Sequence, residues 1–236
     1  TTGSYNTGDG AYSLSSITTG SNNTALGYAA NVSTSALSNT TVIGATATVN
    51  ASNKVRIGDV NVTVIEGQVD WTFTSDGRFK SNLSESDVKG LEFIKLLRPV
   101  VYNFDTRRFQ EFLTKNMSDS IRQKYLDKDF TASTSIRRSG FIAQEVEKAA
   151  DAIGYQFDAV HKPVDENDNY GLSYGQFVVP LVKAVQELSM DNNKMKAEVE
   201  RLRIQLDEMN KKIATTEISS RQVTKLSTPQ SSDAKD

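Results

Sequence analysis

Between Leu181 and Ile213, two interleaved sets of residues recur every seven positions. Leu181, Leu188, Met195, Leu202 and Met209 form one set; Val185, Asn192, Val199, Leu206 and Ile213 follow them at a distance of four. Alternating steps of four and three give a helix with a narrow apolar seam, placing the second set at a and the first at d of a coiled coil. A helix lying on a globular core needs a wider stripe. Residues 181–215 are therefore expected as a parallel coiled coil between copies of the chain. Asn192 at an a position lowers stability while fixing register. Asp191 with Lys196, and Glu198 with Arg203, are spaced to pair between parallel neighbours. Val at a with Leu or Met at d does not by itself choose between dimer and trimer. The heptads decay after Thr215, and 216–236 is expected as a disordered tail.

The other end of the chain has a different texture. Residues 1–68 are rich in Gly, Ser, Thr, Asn and Ala and nearly free of Leu, Lys and Glu. Gly3-Ser-Tyr-Asn6-Thr7 returns seventeen residues later as Gly20-Ser-Asn-Asn23-Thr24, and Asn23-Thr-Ala-Leu26-Gly27-Tyr-Ala is echoed by Asn39-Thr-Thr-Val42-Ile43-Gly44-Ala. Short turns at Gly and Asn between β-forming residues suit a solenoid or β-roll. The competing reading is a disordered spacer, since small polar residues bury little area. Val42, Ile43, Val49, Val55, Ile57, Val60, Val62, Val64 and Ile65 oppose it in the second half. One narrow coil is expected to need neighbours, so three chains around an axis would make a trimeric stalk.

Residues 69–180 read as a mixed α+β domain. Trp71 and Phe73 alternate with Thr72 and Thr74, predicting a strand. Ser84 and Asp87 resemble a capping pair for a helix carrying Val88, Leu91, Ile94 and Leu97, stopped by Pro99. A strand over Val100–Asp105 and an amphipathic helix over Arg107–Asp127 follow, the latter expected as an exposed excursion. Then come a strand into Phe141–Ile142, a helix over Ala143–Ile153 closed by Gly154, and short strands near Ala159–Lys162 and Tyr170–Tyr174. The single histidine, His161, fits a strand-end surface or interface position. Arg107-Arg108 and Arg137-Arg138 fit solvated or salt-bridged positions.

Composition narrows the chemistry. The 236 residues carry a net charge of −2 with both signs mixed, no cysteine and one histidine. That leaves no basic nucleic-acid footprint, no thiol chemistry and no His-rich metal site. No metal or cofactor is expected. No apolar run is long enough to span a bilayer, so membrane insertion is not expected. The first residue is not Met, which leaves room for an upstream segment of the same chain.

Four segments together carry a resemblance: Ser75-Asp-Gly-Arg78-Phe-Lys80-Ser-Asn; Leu91-Glu-Phe-Ile-Lys-Leu-Leu-Arg98-Pro99-Val-Val-Tyr102-Asn-Phe104; Gly140-Phe141-Ile-Ala-Gln144-Glu145-Val146; and Leu172-Ser-Tyr174 through Pro180, Lys183, Gln186 and Leu188. Their order and spacing resemble the C-terminal intramolecular chaperone domain of endosialidases and other phage tail spikes and fibres. The stalk is similar to the repeats of trimeric autotransporter adhesins and phage tail fibres. The chaperone resemblance implies a homotrimerising domain that registers a β-rich fibre and then cuts itself off. It implies Ser75 and Lys80 as a cleavage dyad and Thr74–Ser75 as the scissile bond. It places the protein in a virion tail fibre or spike, or alternatively in a bacterial surface fibre.

The chemistry is consistent with those residue types. A seryl oxygen is a weak nucleophile until a base takes its proton, and lysine can serve when burial or a neighbouring cation disfavours its charge. Ser75 would attack the Thr74 carbonyl, and water would resolve the ester. Backbone N–H groups of the Asp76–Gly77 turn, or Arg78, are candidate oxyanion donors; Arg78 is equally a candidate partner for Asp76. A five-residue spacing allows the dyad to form within one chain or between two. A non-cleaving trimeric fibre tip with a structural or receptor-binding role is the alternative, with a host surface receptor as its added partner. A free-standing hydrolase finds no further constellation to support it.

Overall fold

The computed structural model describes the backbone of residues 1–226 and the side chains of residues 1–218. The repeats at the N-terminus form a β-solenoid. Strands β1 (Thr7–Asp9), β2 (Thr24–Leu26), β4 (Thr41–Ile43) and β6 (Val55–Ile57) stack in parallel as one sheet, and β3 (Asn31–Val32) pairs with β5 (Thr48–Val49) as a second. Thr7, Thr24, Thr41 and Val55 stand in register, so two turns of seventeen residues are followed by one of fourteen.

Each turn closes through corners in the left-handed region. Gly10 (φ 122°), Gly27 (φ 130°) and Gly44 (φ 113°) occupy one corner column. A Cβ on Gly27 would meet the Gly44 carbonyl carbon at 2.8 Å, so only glycine permits the spacing between turns. Inside, the room left between the sheets suits Ala and Val: Ala25, Ala30, Val32, Val42, Ala47 and Val49 form the core with Leu14 and Leu37. A polar column runs beside it. Asn23 Nδ2 donates to Asn6 Oδ1 at 3.0 Å, and Asn23 Oδ1 accepts from Thr40 Oγ1 at 2.7 Å. The structure thus equates Asn23 with Thr40, not with Asn39 as the sequence echo suggested, because the buried amide needs a partner directly above it. These core side chains are buried between the chain's own turns. One row of the outer face, Leu26, Ile43 and Ile57, stays uncovered.

The α+β region is built around Phe93 on the short helix α1 (Leu91–Ile94). Phe93 is fully buried against Val146, Ala159 and Phe177, and its ring meets Tyr155 and Phe157 edge-on. Strand β7 (Val100–Asn103) pairs antiparallel with β8 (Arg137–Gly140). Between them lie helices α2 (Thr106–Leu113), α3 (Asp119–Leu126) and α4 (Thr131–Ser135). Helix α5 (Ala143–Ala152) and the hairpin of β9 (Val160–His161) with β10 (Gly171–Leu172) complete the layer.

Several expectations are corrected. No strand forms at Trp71–Thr74. No helix starts at Ser84; α1 begins only after Gly90, whose backbone lies at φ −96°, ψ −108°, and its Leu91 N–H is capped by Glu187 Oε2 at 2.7 Å. The helix predicted over 107–127 is two helices, α2 and α3, broken at 114–118, where Thr114 Oγ1 turns back to the Gln110 carbonyl. Nor is it an exposed excursion, since Leu113, Met117 and Tyr125 are buried.

From Val178 the chain runs as one helix, α6, to Leu226. It continues past the expected end of the heptads, so the part of the predicted tail up to residue 226 is helical; residues 227–236 lie outside the described residues. Leu181, Val185, Leu188, Met195, Val199, Leu202, Leu206, Met209 and Ile213 are all about half exposed or more on it, and Asn192 is exposed with them. Within the single helix Glu198 pairs with Arg201 at 2.5 Å, and Asp191 with Lys194 at 3.7 Å.

Candidate active site

Residues 62–75 are exposed throughout and carry no regular structure, only bends at 68–69. They end at a tight turn, the 3-10 segment Gly77–Phe79. Asp76 organises it: its Oδ1 accepts the Arg78 N–H at 2.9 Å, and its carboxylate holds the Arg78 guanidinium at 2.6 Å. That bond holds the Asp76 carboxyl below its ordinary pKa. Lys80 N–H then closes onto the Gly77 carbonyl at 3.2 Å. The result of this folding is that Lys80 Nζ comes back over Ser75 and donates to its Oγ at 2.7 Å. A Cβ on Gly77 would meet nothing within 4 Å, so packing does not demand glycine there.

The sequence left two roles open for Arg78, and the geometry favours the carboxylate partner. The N–H groups of Arg78, Phe79 and Lys80 are taken up by the turn itself. Ser75 and Lys80 are both exposed, and so are the large apolar side chains around them: Trp71 (82%), Phe73 (83%), Phe79 (77%) and Leu83 (82%). Four such residues between positions 71 and 83 leave large apolar side chains uncovered on the single chain.

The other quoted segments do not touch this turn. They meet one another: Phe93, Phe141, Val146, Leu172 and Phe177 share one apolar cluster, Gly140 is closely crossed by Tyr174, whose hydroxyl accepts the Phe141 N–H at 3.0 Å, and at the surface Arg98 is held by Glu145. Their residue types are explained by packing. Among the described residues no cluster of His, Cys, Asp and Glu is placed to hold a metal ion, and no helix is long and apolar enough to cross a membrane.

Sequence reasoning missed a second constellation, where the α+β region grips the solenoid. Tyr12, Ala29 and Thr46 occupy equivalent corners of successive turns, each at positive φ. Helix α3 and the chain after it run along that column. Lys124 Nζ sits 3.9 Å over the Tyr12 ring, and Tyr125 Oη donates to the Ala29 carbonyl at 2.6 Å. Burial pushes the Tyr125 hydroxyl up to about 12. Lys128 binds Thr46 Oγ1 and pairs with Asp59 at 2.6 Å. Val60 is buried against Leu113 and Phe130.

A second grip comes from the turn before β10. The Asp168 side chain is fully buried and binds Lys54 at 2.8 Å and His161 Nε2 at 2.7 Å. Burial pushes its carboxyl up, but the bonds from Lys54, the Asn169 N–H, His161 and the Val164 N–H outweigh it and hold the pKa down to about 2. The only signal in the sequence was the seventeen-residue spacing of Tyr12, Ala29 and Thr46, which does not say what covers them.

Residues 75–155 match the family model described as the chaperone of endosialidase. The match begins at Ser75 and covers about a third of the chain, supporting a chaperone-type domain for that stretch. No curated protein and no solved structure matches the chain.

Proposed function

We propose that the chain assembles as a homotrimer through α6, that its chaperone domain sets the register of the β-solenoid, and that Ser75 then cuts the Thr74–Ser75 bond with Lys80 as base. The observation that carries this reading is the 2.7 Å contact between Lys80 Nζ and Ser75 Oγ in a turn at the first residue of the chaperone match. In the uncovered turn Lys80 is the donor. Covering the turn with a neighbouring subunit would disfavour the ammonium and free its lone pair to take the serine proton. Ser75 Oγ would then add to the Thr74 carbonyl, the C–N bond would break with the proton passing to the leaving amine, and water would hydrolyse the ester. The exposed Trp71, Phe73, Phe79 and Leu83 are suited to be that cover's contacts, and the uncovered row Leu26, Ile43 and Ile57 suits neighbours along the stalk. A fibre of this type belongs on a phage tail, or alternatively on a bacterial surface.

The alternative is a non-cleaving fibre tip with a structural or receptor-binding role. It is favoured by two observations: Arg78 is committed to Asp76, and the dyad lies open to water. Denaturing electrophoresis of the expressed chain decides between the two. The proposal expects two pieces, of residues 1–74 and 75–236, replaced by one intact band in Ser75→Ala and in Lys80→Ala. An intact wild-type chain in a folded trimer would establish the fibre tip instead.

A further inference from the structure

We propose that the cut does not by itself release the chaperone part: residues 75–236 stay bound to the solenoid through α3, α4 and the turn at 165–169. This rests on the cleavage reading for its occasion, though not for its physical basis.

The bond to be broken and the contacts that hold the two parts together lie in different places. The hydrogen bonds described for residues 66–87 stay within that stretch, so it contributes nothing to docking except covalent connection. Docking is done elsewhere, and it spans the solenoid lengthwise: Lys124 meets the first turn at Tyr12, Tyr125 the second at Ala29, and Lys128 the third at Thr46 and the last at Asp59. Asn61 Oδ1 accepts from Ser133 Oγ at 2.6 Å beyond that. Asn50 Nδ2 donates to the Asn167 carbonyl at 2.7 Å beside the Lys54–Asp168 pair.

Separation would expose what this interface hides. The Tyr125 hydroxyl and the Ala29 carbonyl would each lose a buried partner, and Asp168 would lose the lysine that compensates its burial. Cleavage removes only the tether's effective concentration, in the millimolar range for short linkers. An interface with two buried or half-buried ion pairs and a buried tyrosine is expected to outlast that loss. The partner of this surface is therefore the chain's own solenoid, before the cut and after it.

The test uses the full chain twice. Wild-type protein is passed over a size-exclusion column at physiological salt, and its fractions are run on a denaturing gel. In parallel, a Ser75→Ala chain carrying a site-specific protease sequence inserted after Val64 is cut by that protease and treated alike. Co-elution of both pieces in equal amounts supports retention, and separate elution overturns it. If the wild type stays intact while the engineered products co-elute, retention stands and the cleavage reading falls. A Lys54→Met, Lys128→Met version of the engineered chain, first shown by its melting curve to be folded when uncut, should lose its pieces about tenfold faster. Unchanged co-elution of that variant would mean that these contacts are not what holds the parts, and would overturn the assignment.

Discussion

Asp168 gathers three kinds of partner around one buried carboxylate: a lysine from the solenoid, the single histidine, and backbone N–H groups of its own turn. Its pKa of about 2 is below the ordinary 3.8, so the folded state favours the ionised form. Stability from this group is present in full above about pH 4 and is lost as pH falls through about 2, a contribution of roughly 2 kcal/mol. Denaturation followed from pH 6 to pH 2 should show wild type losing that margin relative to Asp168→Asn, whose own stability lacks this slope. A constant difference would mean that the carboxylate does not ionise differently on folding. At this scale the sequence exposed Ser75 and Lys80 by their motif, and their side chains do meet. It could not expose Asp168, because an Asp-Glu-Asn-Asp-Asn run looks like any polar turn until Lys54, 114 residues away, is brought against it.

Among the elements, α1 shows how one residue type can override a helical pattern. Val88, Leu91, Ile94 and Leu97 have helical spacing, yet the helix waits until Leu91 because Gly90 is pressed against α6. A Cβ there would lie 2.5 Å from Glu187 Oε2 and 2.9 Å from the Ala184 backbone nitrogen. Gly90→Ala is therefore expected to push α1 off α6 and to cost about 1–3 kcal/mol, read as a lowered melting temperature. An unchanged melting temperature would show that α6 can yield at this point. The long helix, α5 and the strands β7 and β8, though not their pairing, were legible because their periodicity and the stop signals at Pro99 and Gly154 are local. The break between α2 and α3 was not, because their apolar residues continue the same spacing across it. What separates them is that α3 turns aside to follow the solenoid, a tertiary demand with no local signature.

At the scale of the molecule, the uncovered surfaces set what a single copy lacks. The heptad residues of α6 other than Asn192, the row at Leu26, Ile43 and Ile57, and the aromatics flanking Ser75 are all apolar and exposed. If neighbouring copies cover them, cutting should depend on assembly. Leu188→Asp with Leu202→Asp is expected to yield monomer and to slow the cut about a hundredfold or more, the scale of a lost general base. Light scattering and gel densitometry would check both, and a monomer that cuts at the wild-type rate would refute the dependence. The solenoid's turns were legible from repeats, while the burial of Ala25, Ala30 and Ala47 between its two sheets was not, because small residues carry no apolar pattern of their own.

The unstructured stretch 62–74 has one more consequence. Thirteen extended residues reach up to roughly 45 Å. A leash of that length lets the serine loop of one copy be sheathed by the helices of another. If the bond is cut as proposed, the strand that is severed and the subunit that makes its severing possible need not share a backbone.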